Sequence, residues 1–527
     1  MSTNAEVIAS TLARAGVEFA FGLPGGEVTA LLHACRAAGI RFMLTGHEAS
    51  AAFMADVTGQ ITGRPGICIA TLGPGAMNLC LGVANAYLDR SPVLAFTAET
   101  PRAIARHYSH QRLPLTRIFG NICKASVAVS GRGTTELLES AVRLAVAPHP
   151  GPVHIALSSD LAGKNVRPGA PPRLREPGGS NGASDSAIGE IADMLSEARR
   201  PLLMVGIGCR PHDAPALRRF ADRVTLPYVV TPKAKGMLSE EAPGFLGVIG
   251  GMAIDREIMK TVDHADLLLG VGFDPVECDH AWYLGRPIAN LSRASTRMGQ
   301  YRPLEAIGEI HELLRPLGGI VARPWPSELL AECRARLRPR PIYAEDAVSP
   351  LEAVEALREV LPAEAILTSD VGSHKYYAGQ FWRARAPHTF FLSNGLSAIG
   401  YGVPAAIAAK LHFPRQPVVA LVGDGGLLMM LHNLVFIRQH QVPVIIVCFI
   451  DHSLSLIRIS QQRRGHDPYG VDFAAPDFAR AADAFGIRGR LVDSIDALKR
   501  TLDQAVRAGE PALITVRVNL REYETYV

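Results

Sequence analysis

Val418-Val419-Ala420-Leu421-Val422-Gly423-Asp424-Gly425-Gly426 leads through an apolar stretch, Leu427 to Gln439, into Val444-Ile445-Ile446-Val447-Cys448-Phe449-Ile450 and then Asp451-His452-Ser453. The pattern predicts strand, glycine turn, helix, strand and acidic turn, which is one βαβ unit. Backbone N–H groups of a glycine turn can approach a phosphate, and the following helix N-terminus adds partial positive charge. Asp424 cannot bind an anion itself. It calls for a cation between its carboxylate and the phosphates. Neighbouring parallel strands bring their C-terminal ends together, which sets Asp451 beside Asp424. Two hard oxygen ligands with a diphosphate describe a Mg²⁺ site. Read alone, a Gly-Asp-Gly triplet is also an ordinary tight bend.

At 527 residues the chain has room for about three domains at ~150 residues each. Its 48% apolar and 20% charged content is that of a globular protein with large cores. Lys and Arg total 54 against 50 Asp and Glu, and no basic run stands out, so no nucleic-acid partner is expected. The eight cysteines are scattered with no CxxC pair, and reduced buried thiols are expected. The opening residues, MSTNAEVIASTLARAG, predict an amphipathic helix with a Ser/Thr/Asn start, not a signal peptide. No apolar run reaches ~18 residues, so neither a membrane span nor a membrane partner is expected, and the expected location is cytoplasmic.

Strands are predicted at Val17–Phe21, Arg41–Thr45, Gly66–Thr71, Pro92–Thr97 and Gly151–Leu157, with helices between them. Further strands are expected at Pro201–Gly208, Leu226–Thr231 and Ala265–Gly272, and again from Ala365 onward. Such alternation implies α/β architecture with doubly wound parallel sheets, and places function at the C-terminal strand ends. Those ends carry Gly22–Gly26, Glu48, Gly73-Pro74-Gly75 and residues 107–112. Stretches 161–185 and 336–350 read as linkers. They divide the chain into 1–165, 186–335 and 345–527. Glu48 opens a helix, where the helix dipole alone would favour a glutamate. Ser373 and His374 open another, suited to a diphosphate or to plain capping. Gly206-Ile207-Gly208-Cys209 lacks the third glycine and following acidic residue of a dinucleotide fingerprint.

FGLPGG at 21–26 and GHEASAAFMADVTGQITGRPGICIATLGPGAMNLCLGVANAYLDRSPVLAFTAE at 46–99 resemble the pyrimidine-binding domain of the acetolactate synthase-like family of thiamine diphosphate enzymes. The GDGG-to-Asp451 spacing resembles that family's diphosphate-binding motif, and the likeness covers nearly the whole chain. The three parts then match pyrimidine-binding, central and diphosphate-binding domains. The resemblance implies thiamine diphosphate and Mg²⁺ as cofactors. It makes Glu48 the glutamate that hydrogen-bonds the aminopyrimidine N1′ and favours the imino tautomer, whose nitrogen removes the thiazolium C2 proton. Gln111 matches a position near the pyrimidine and substrate. Gly25, Pro74, Asn78, Ser373, His374, Ser397, Ile399, Gly423, Gly425, Gly426 and Leu454 match cofactor-binding positions. Ile399 would hold the cofactor in a V shape, although by itself it is equally a core residue. Asp424, Asp451 and the Ser453 carbonyl match the metal ligands. Lys235-Gly236 matches a pair that can lie at the active-site edge.

The chain departs from the family pattern in four places. Asp451 stands where Asn is usual, and Asn433 where many members carry Glu. Residues Gly247–Met252 depart from the glycine-Met-His pattern of flavin-containing synthases, so FAD is not expected. Ile457 stands where simple decarboxylases carry a proton-donating Glu. Arg458 beside it is a candidate for a substrate carboxylate or part of a solvated helix face. The resemblance implies an enzyme that decarboxylates a 2-oxo acid and passes the acyl carbanion to a carbonyl acceptor, working as a homodimer or homotetramer with shared active sites. Alternatives are a non-oxidative decarboxylase, an acyloin lyase, or a non-catalytic cofactor-binding paralogue.

Overall fold

The computed structural model of the chain describes residues 2–101, 103–174 and 185–527. Short apolar runs bounded by glycine and proline form strands, and these assemble into three parallel six-stranded sheets. The first holds β1 (Phe19–Leu23), β2 (Arg41–Leu44), β3 (Gly66–Ala70), β4 (Val93–Glu99), β5 (Ala125–Ala128) and β6 (Pro152–Ser158), in the order β2-β1-β3-β4-β6-β5. The second holds β7 (Pro201–Val205), β8 (Tyr228–Val230), β9 (Phe245–Val248), β10 (Leu267–Val271), β11 (Ile288–Ser292) and β12 (Leu304–Ile307), ordered β12-β11-β10-β7-β8-β9. The third holds β13 (Ile366–Ser369), β14 (Phe390–Leu392), β15 (Val418–Gly423), β16 (Val444–Ile450), β17 (Arg488–Val492) and β18 (Ala512–Arg517), ordered β14-β13-β15-β16-β18-β17.

The first and third sheets share one topology. Each reverses direction between its first and third strands, and ligands of open α/β sheets bind at the carboxyl ends flanking such a reversal. In the first sheet those ends lead into Gly25 and Pro74. In the third they lead into Ser373 and Asp424. The second sheet reverses between β7 and β10, which is the strand order of dinucleotide-binding folds.

The described chain falls into two compact units. One is Met1–Gly178 with Gly395–Arg415 and Met430–Val442. The other is Gly179–Asn394 with Gln416–Met429 and Pro443–Val527. In the first unit, the helix Glu48–Thr62 is almost wholly buried. It packs on the helix Pro74–Leu88 closely enough that a Cβ on Gly82 would stand 2.4 Å from the Ala52 Cβ. Small residues here bring two helix backbones together, which the Ala- and Gly-rich composition of both helices permits.

The structure shifts several expected boundaries. β1 runs two residues later than Val17–Phe21, because Gly22 and Leu23 stay extended to pair with Ile69 and Ala70. A Cβ on Gly22 would stand 2.2 Å from the Ile69 carbonyl oxygen, so this glycine permits close strand pairing inside β1. The Gly423–Gly426 segment is not a separate turn: β15 ends at Gly423 and a helix starts at Asp424. The expected Leu427–Gln439 helix is two helices, Asp424–Met430 and Asn433–His440, with the Asn433 side chain donating to the Met430 carbonyl at 2.9 Å. Residues 336–350 are held in place by the buried Glu522, whose carboxylate accepts from Ile342 N at 2.8 Å and Leu351 N at 2.9 Å. Of the other expected linker, Asn165 and Arg167 form bridges with Thr3 and Arg132, while 175–184 lie outside the described residues. The sequence does not predict β5, β9, β11, β12, β14 or β17, each three to five residues long.

Candidate active site

Glu48 is the first residue of its helix, directly after β2, and its N-cap is His47, whose Nδ1 accepts from Ala49 N at 3.1 Å. The Glu48 side chain is 4% exposed. Its Oε2 accepts from the Asn78 amide at 2.9 Å, and its Oε1 lies where a Cβ on Gly75 would stand at 3.0 Å. Pro74 is the first residue of the helix carrying Asn78, a position that needs no backbone N–H. Gly73 has φ +60°, and a Cβ there would stand 2.7 Å from the Gln111 Cβ. Gln111 itself has φ +56°, an uncommon conformation for a residue with a side chain. A Cβ on Gly25 would meet the Thr71 hydroxyl at 2.6 Å, and that hydroxyl donates to Glu27 at 2.6 Å. Glu48, Pro74, Asn78 and Gln111 therefore converge around the Gly73–Gly75 turn, with Gly25 close to the strand end that precedes it. Gln111 also lines a cavity of about 430 Å³ with Arg112, Thr100 and Leu72.

In the second unit, the Asp424 Oδ2 accepts from His452 N at 2.8 Å and Asp451 N at 3.3 Å. The register of β15 and β16 explains this: Gly423 pairs with Phe449, so the two chain exits lie side by side. His452 has φ +59° in the turn between them. Asp451 Oδ1 accepts from Ser453 N at 3.1 Å, and its other oxygen accepts from the Ser455 hydroxyl. Burial raises the pKa of Asp424 and pushes that of Asp451 up to about 6, with the Asp424 charge adding to the second shift. A buried and a half-buried carboxyl side by side suit a bound cation, which lowers the cost of charging them. Among the described residues no group of three or more His, Cys, Asp and Glu side chains forms, so further ligands would be backbone oxygens such as Ser453 or a bound anion.

The donors next to this pair are also set up for a ligand. Ser373 and His374 are 5% and 3% exposed, and the Ser373 Oγ and His374 Nε2 have no hydrogen-bond partner. Burial lowers the His374 pKa to about 3, so the ring is neutral. A Cβ on Gly423 would stand 3.1 Å from that ring, and a Cβ on Gly425 would stand 3.2 Å from Leu454. Neither glycine has positive φ. Their value is close approach, not turning. Gly426 follows in the first turn of the same helix. Orphaned buried polar atoms are costly unless a ligand meets them, and the Ser373 hydroxyl, which can donate, fits a diphosphate.

Ser397 and Ile399 lie in the first unit, on the loop before the helix Gly402–His412. Ser397 is exposed with φ +52°, and Ile399 is half-buried, not core.

Other expectations meet different surroundings. Lys235 is 3% exposed and ion-paired with Glu240 at 2.5 Å, which commits it to packing. Arg458 holds Asp472 through two 2.7 Å contacts, so its charge is already used. The Gly206–Gly208 turn at the β7/β10 reversal donates Ile207 N to the buried Glu277 carboxylate at 2.8 Å, and Lys233 N donates to the same group at 3.3 Å. A side chain of the protein thus occupies N–H groups that a nucleotide phosphate would need. Sequence reading missed Glu277, Thr71, Ser455 and His432. The last bonds Ser50 through Nε2 at 3.1 Å, in the first turn of the Glu48 helix. Only Ser455, two positions beyond Ser453, had a local signal.

Residues 2–117 match the thiamine pyrophosphate enzyme N-terminal TPP binding domain, 188–317 the central domain and 370–516 the C-terminal TPP binding domain. Over 537 residues the chain is 30% identical to the acetolactate synthase of Bacillus subtilis strain 168, covering 98% of this chain and 93% of that one. The chain belongs to the acetolactate synthase-like family of thiamine diphosphate enzymes. Within this family it is also 29% identical over 550 residues to a probable acetolactate synthase large subunit of Methanocaldococcus jannaschii, with 98% and 92% coverage. It is 28% identical over 541 residues to the catabolic acetolactate synthase of Raoultella terrigena, with 98% and 95% coverage. As a member of the acetolactate synthase-like family, the chain is a thiamine diphosphate-dependent enzyme that makes C–C bonds. Glu48 and Asn78 fall within the N-terminal TPP-binding match, and Ser373, Asp424 and Asp451 within the C-terminal one. No helix among the described residues is long and apolar enough to cross a membrane.

Proposed function

We propose that the protein is a Mg²⁺-dependent carboligase that decarboxylates a 2-oxo acid and transfers the acyl unit to an aldehyde or ketone. The observation that carries this reading is the buried Glu48 carboxyl fixed by Asn78, in a chain whose diphosphate half presents Asp424, Asp451 and the unpartnered Ser373 hydroxyl. Ser373, His374 and the backbone at Gly423, Gly425 and Gly426 would hold the diphosphate. Asp424, Asp451 and the Ser453 carbonyl would hold Mg²⁺. Gly25, Pro74, Asn78, Ser397, Ile399 and Leu454 would line the cofactor. Thiamine diphosphate, when bound, supplies the electron sink for decarboxylation. The Glu48 carboxyl would hydrogen-bond the cofactor, and the Asn78 amide keeps it on one bearing. Gln111 orients substrate from the edge of the Gly73 turn.

Ile457 supports carboligation over simple decarboxylation. It is 53% exposed on the helix Ser455–Arg463 and offers no proton where decarboxylases carry an acid. Glu277 supports a central domain without FAD, because the Ile207 N–H of the β7 turn already has an acceptor. Residues 1–165, 186–335 and 345–527 are then the pyrimidine-binding, central and diphosphate-binding domains of a homo-oligomer with shared sites.

The test is CO₂ release from a panel of 2-oxo acids with thiamine diphosphate and Mg²⁺, with and without carbonyl acceptors, and with products identified by NMR. Release that rises with an acceptor and yields a hydroxyketone is expected. Free aldehyde in proportion to CO₂ would identify a decarboxylase instead.

A further inference from the structure

A second cavity, of about 800 Å³, opens in the first unit away from the Gly73–Gly75 turn. Its floor is apolar, formed by residues such as Ile40 and Met43. Its rim carries His33, Arg36, Arg41 and His440, and no carboxylate among the described residues lines it. Arg36 and Arg41 have no ion-pair partner among the described residues. The Arg41 guanidinium sits 4.3 Å over the Phe19 ring. The His440 Nε2 is shielded from solvent and has no hydrogen-bond partner, and its ring packs on Phe436 at 4.5 Å. An apolar floor under an uncompensated cationic rim matches a ligand with a hydrocarbon body and a carboxylate head.

Two elements run from this cavity to the catalytic glutamate. β2 begins at Arg41 in the cavity wall, and the chain leaving its other end reaches Glu48 within four residues. The helix Asn433–His440 has His440 in the cavity at one end. His432, immediately before its other end, bonds Ser50 at 3.1 Å and stands 2.8 Å from where a Cβ on Gly46 would be. At 1.5 Å per residue this helix spans roughly 12 Å. A ligand that bridges Arg41 and His440 therefore pulls on both elements that hold the Glu48 turn.

We propose that this cavity is a regulatory site for an amphipathic carboxylate, and that its occupancy acts on the Glu48 turn through β2 and the helix Asn433–His440. The test uses the full chain saturated with thiamine diphosphate and Mg²⁺, with octanoate as the probe and octan-1-ol as its uncharged counterpart. Titration calorimetry should show octanoate binding at least 10-fold tighter than octan-1-ol. Arg41→Gln and Arg36→Gln should each weaken octanoate at least 5-fold. Arg36 is exposed on its helix, so its substitution keeps the test valid if Arg41→Gln fails to fold. Hydrogen exchange at residues 45–51 and 430–436 should slow when octanoate is bound. Equal binding of alcohol and carboxylate, full affinity in both variants, or displacement of octanoate by added 2-oxo acid would overturn the site. Unchanged exchange in both segments would overturn its coupling to Glu48.

Discussion

Asn78 donates a 2.9 Å hydrogen bond to Glu48 between two helices that meet through Gly82 and Ala52. The Glu48 carboxyl is thus oriented by a neighbour on a separate rigid element. Glu48→Gln should leave thiamine diphosphate binding within a few-fold of normal and lower turnover by about 10²-fold or more, the usual worth of a positioned acid–base group. Asn78→Ala should lower turnover by roughly 10-fold, since a hydrogen bond to a charged group is worth about 1.5–3 kcal/mol. CO₂ release, together with NMR of C2 proton exchange on the bound cofactor, measures both. Normal exchange in Glu48→Gln would remove Glu48 from cofactor activation.

Gly75 separates fold from function. A Cβ there would stand 2.8 Å from the Thr71 methyl and 3.0 Å from the Glu48 Oε1, and the residue does not have positive φ. Gly75→Ala should fold, because its backbone suits alanine, yet displace the carboxylate and lower kcat about 10-fold or more. Thermal melting and steady-state rates on one preparation check it. Wild-type kcat would show that the turn yields without moving Glu48.

Ser373 carries an opposite pair of effects. Its buried hydroxyl lacks a partner, so Ser373→Ala removes an unsatisfied polar atom from the cofactor-free protein. The Tm without cofactor should hold or rise. The Kd for thiamine diphosphate should rise about 10-fold, as the diphosphate loses a donor. A fall in the cofactor-free Tm with unchanged Kd would mean the hydroxyl serves packing alone.

Glu277 sets a pH dependence. Burial raises its carboxyl from the usual 4.5 to about 7, against the pull of the Thr231 hydroxyl and the Ile207 and Lys233 amides. A raised native pKa means the folded state binds more protons than the unfolded state between about 4.5 and 7. Stability from this group therefore falls as pH rises through that window, by at most about 1.4 kcal/mol per pH unit. Glu277→Gln should flatten that slope while costing some stability throughout, because an amide supplies only one acceptor oxygen for the two N–H groups. Urea midpoints from pH 5 to 8 decide it. Parallel profiles for the two proteins would count against a protonated Glu277.

Much of the site was legible in the sequence because its parts are local. Glu48 after a strand, Gly73-Pro74-Gly75 before a helix, Ser373-His374 at a helix start and Asp424 with Asp451 all sit within short segments whose periodicity declares strand or helix. The closeness of Asp424 and Asp451 also followed from a topological rule, since parallel neighbours share an end. What misled was chemistry judged without surroundings. Of the two readings of Arg458, its pairing with Asp472 disfavours a substrate carboxylate, and Lys235, matched to an active-site edge, is sealed against Glu240. The glycines of Gly423–Gly426 suggest a bend, whereas Gly423 and Gly425 instead allow close packing against His374 and Leu454.

The sequence by itself determined that alternating elements form parallel sheets, and which strand ends carry a carboxyl, a donor or a glycine. These properties depend on neighbours within a few residues. The tertiary structure decided the order of strands in each sheet, the Glu522 anchor on residues 342 and 351, the Glu277 plug at the β7 turn and the His432 contact with Ser50, 382 positions away. Such contacts leave no periodic trace. Each exists because separate segments bury their apolar faces in common cores, and burial then drives most enclosed polar groups to find a partner.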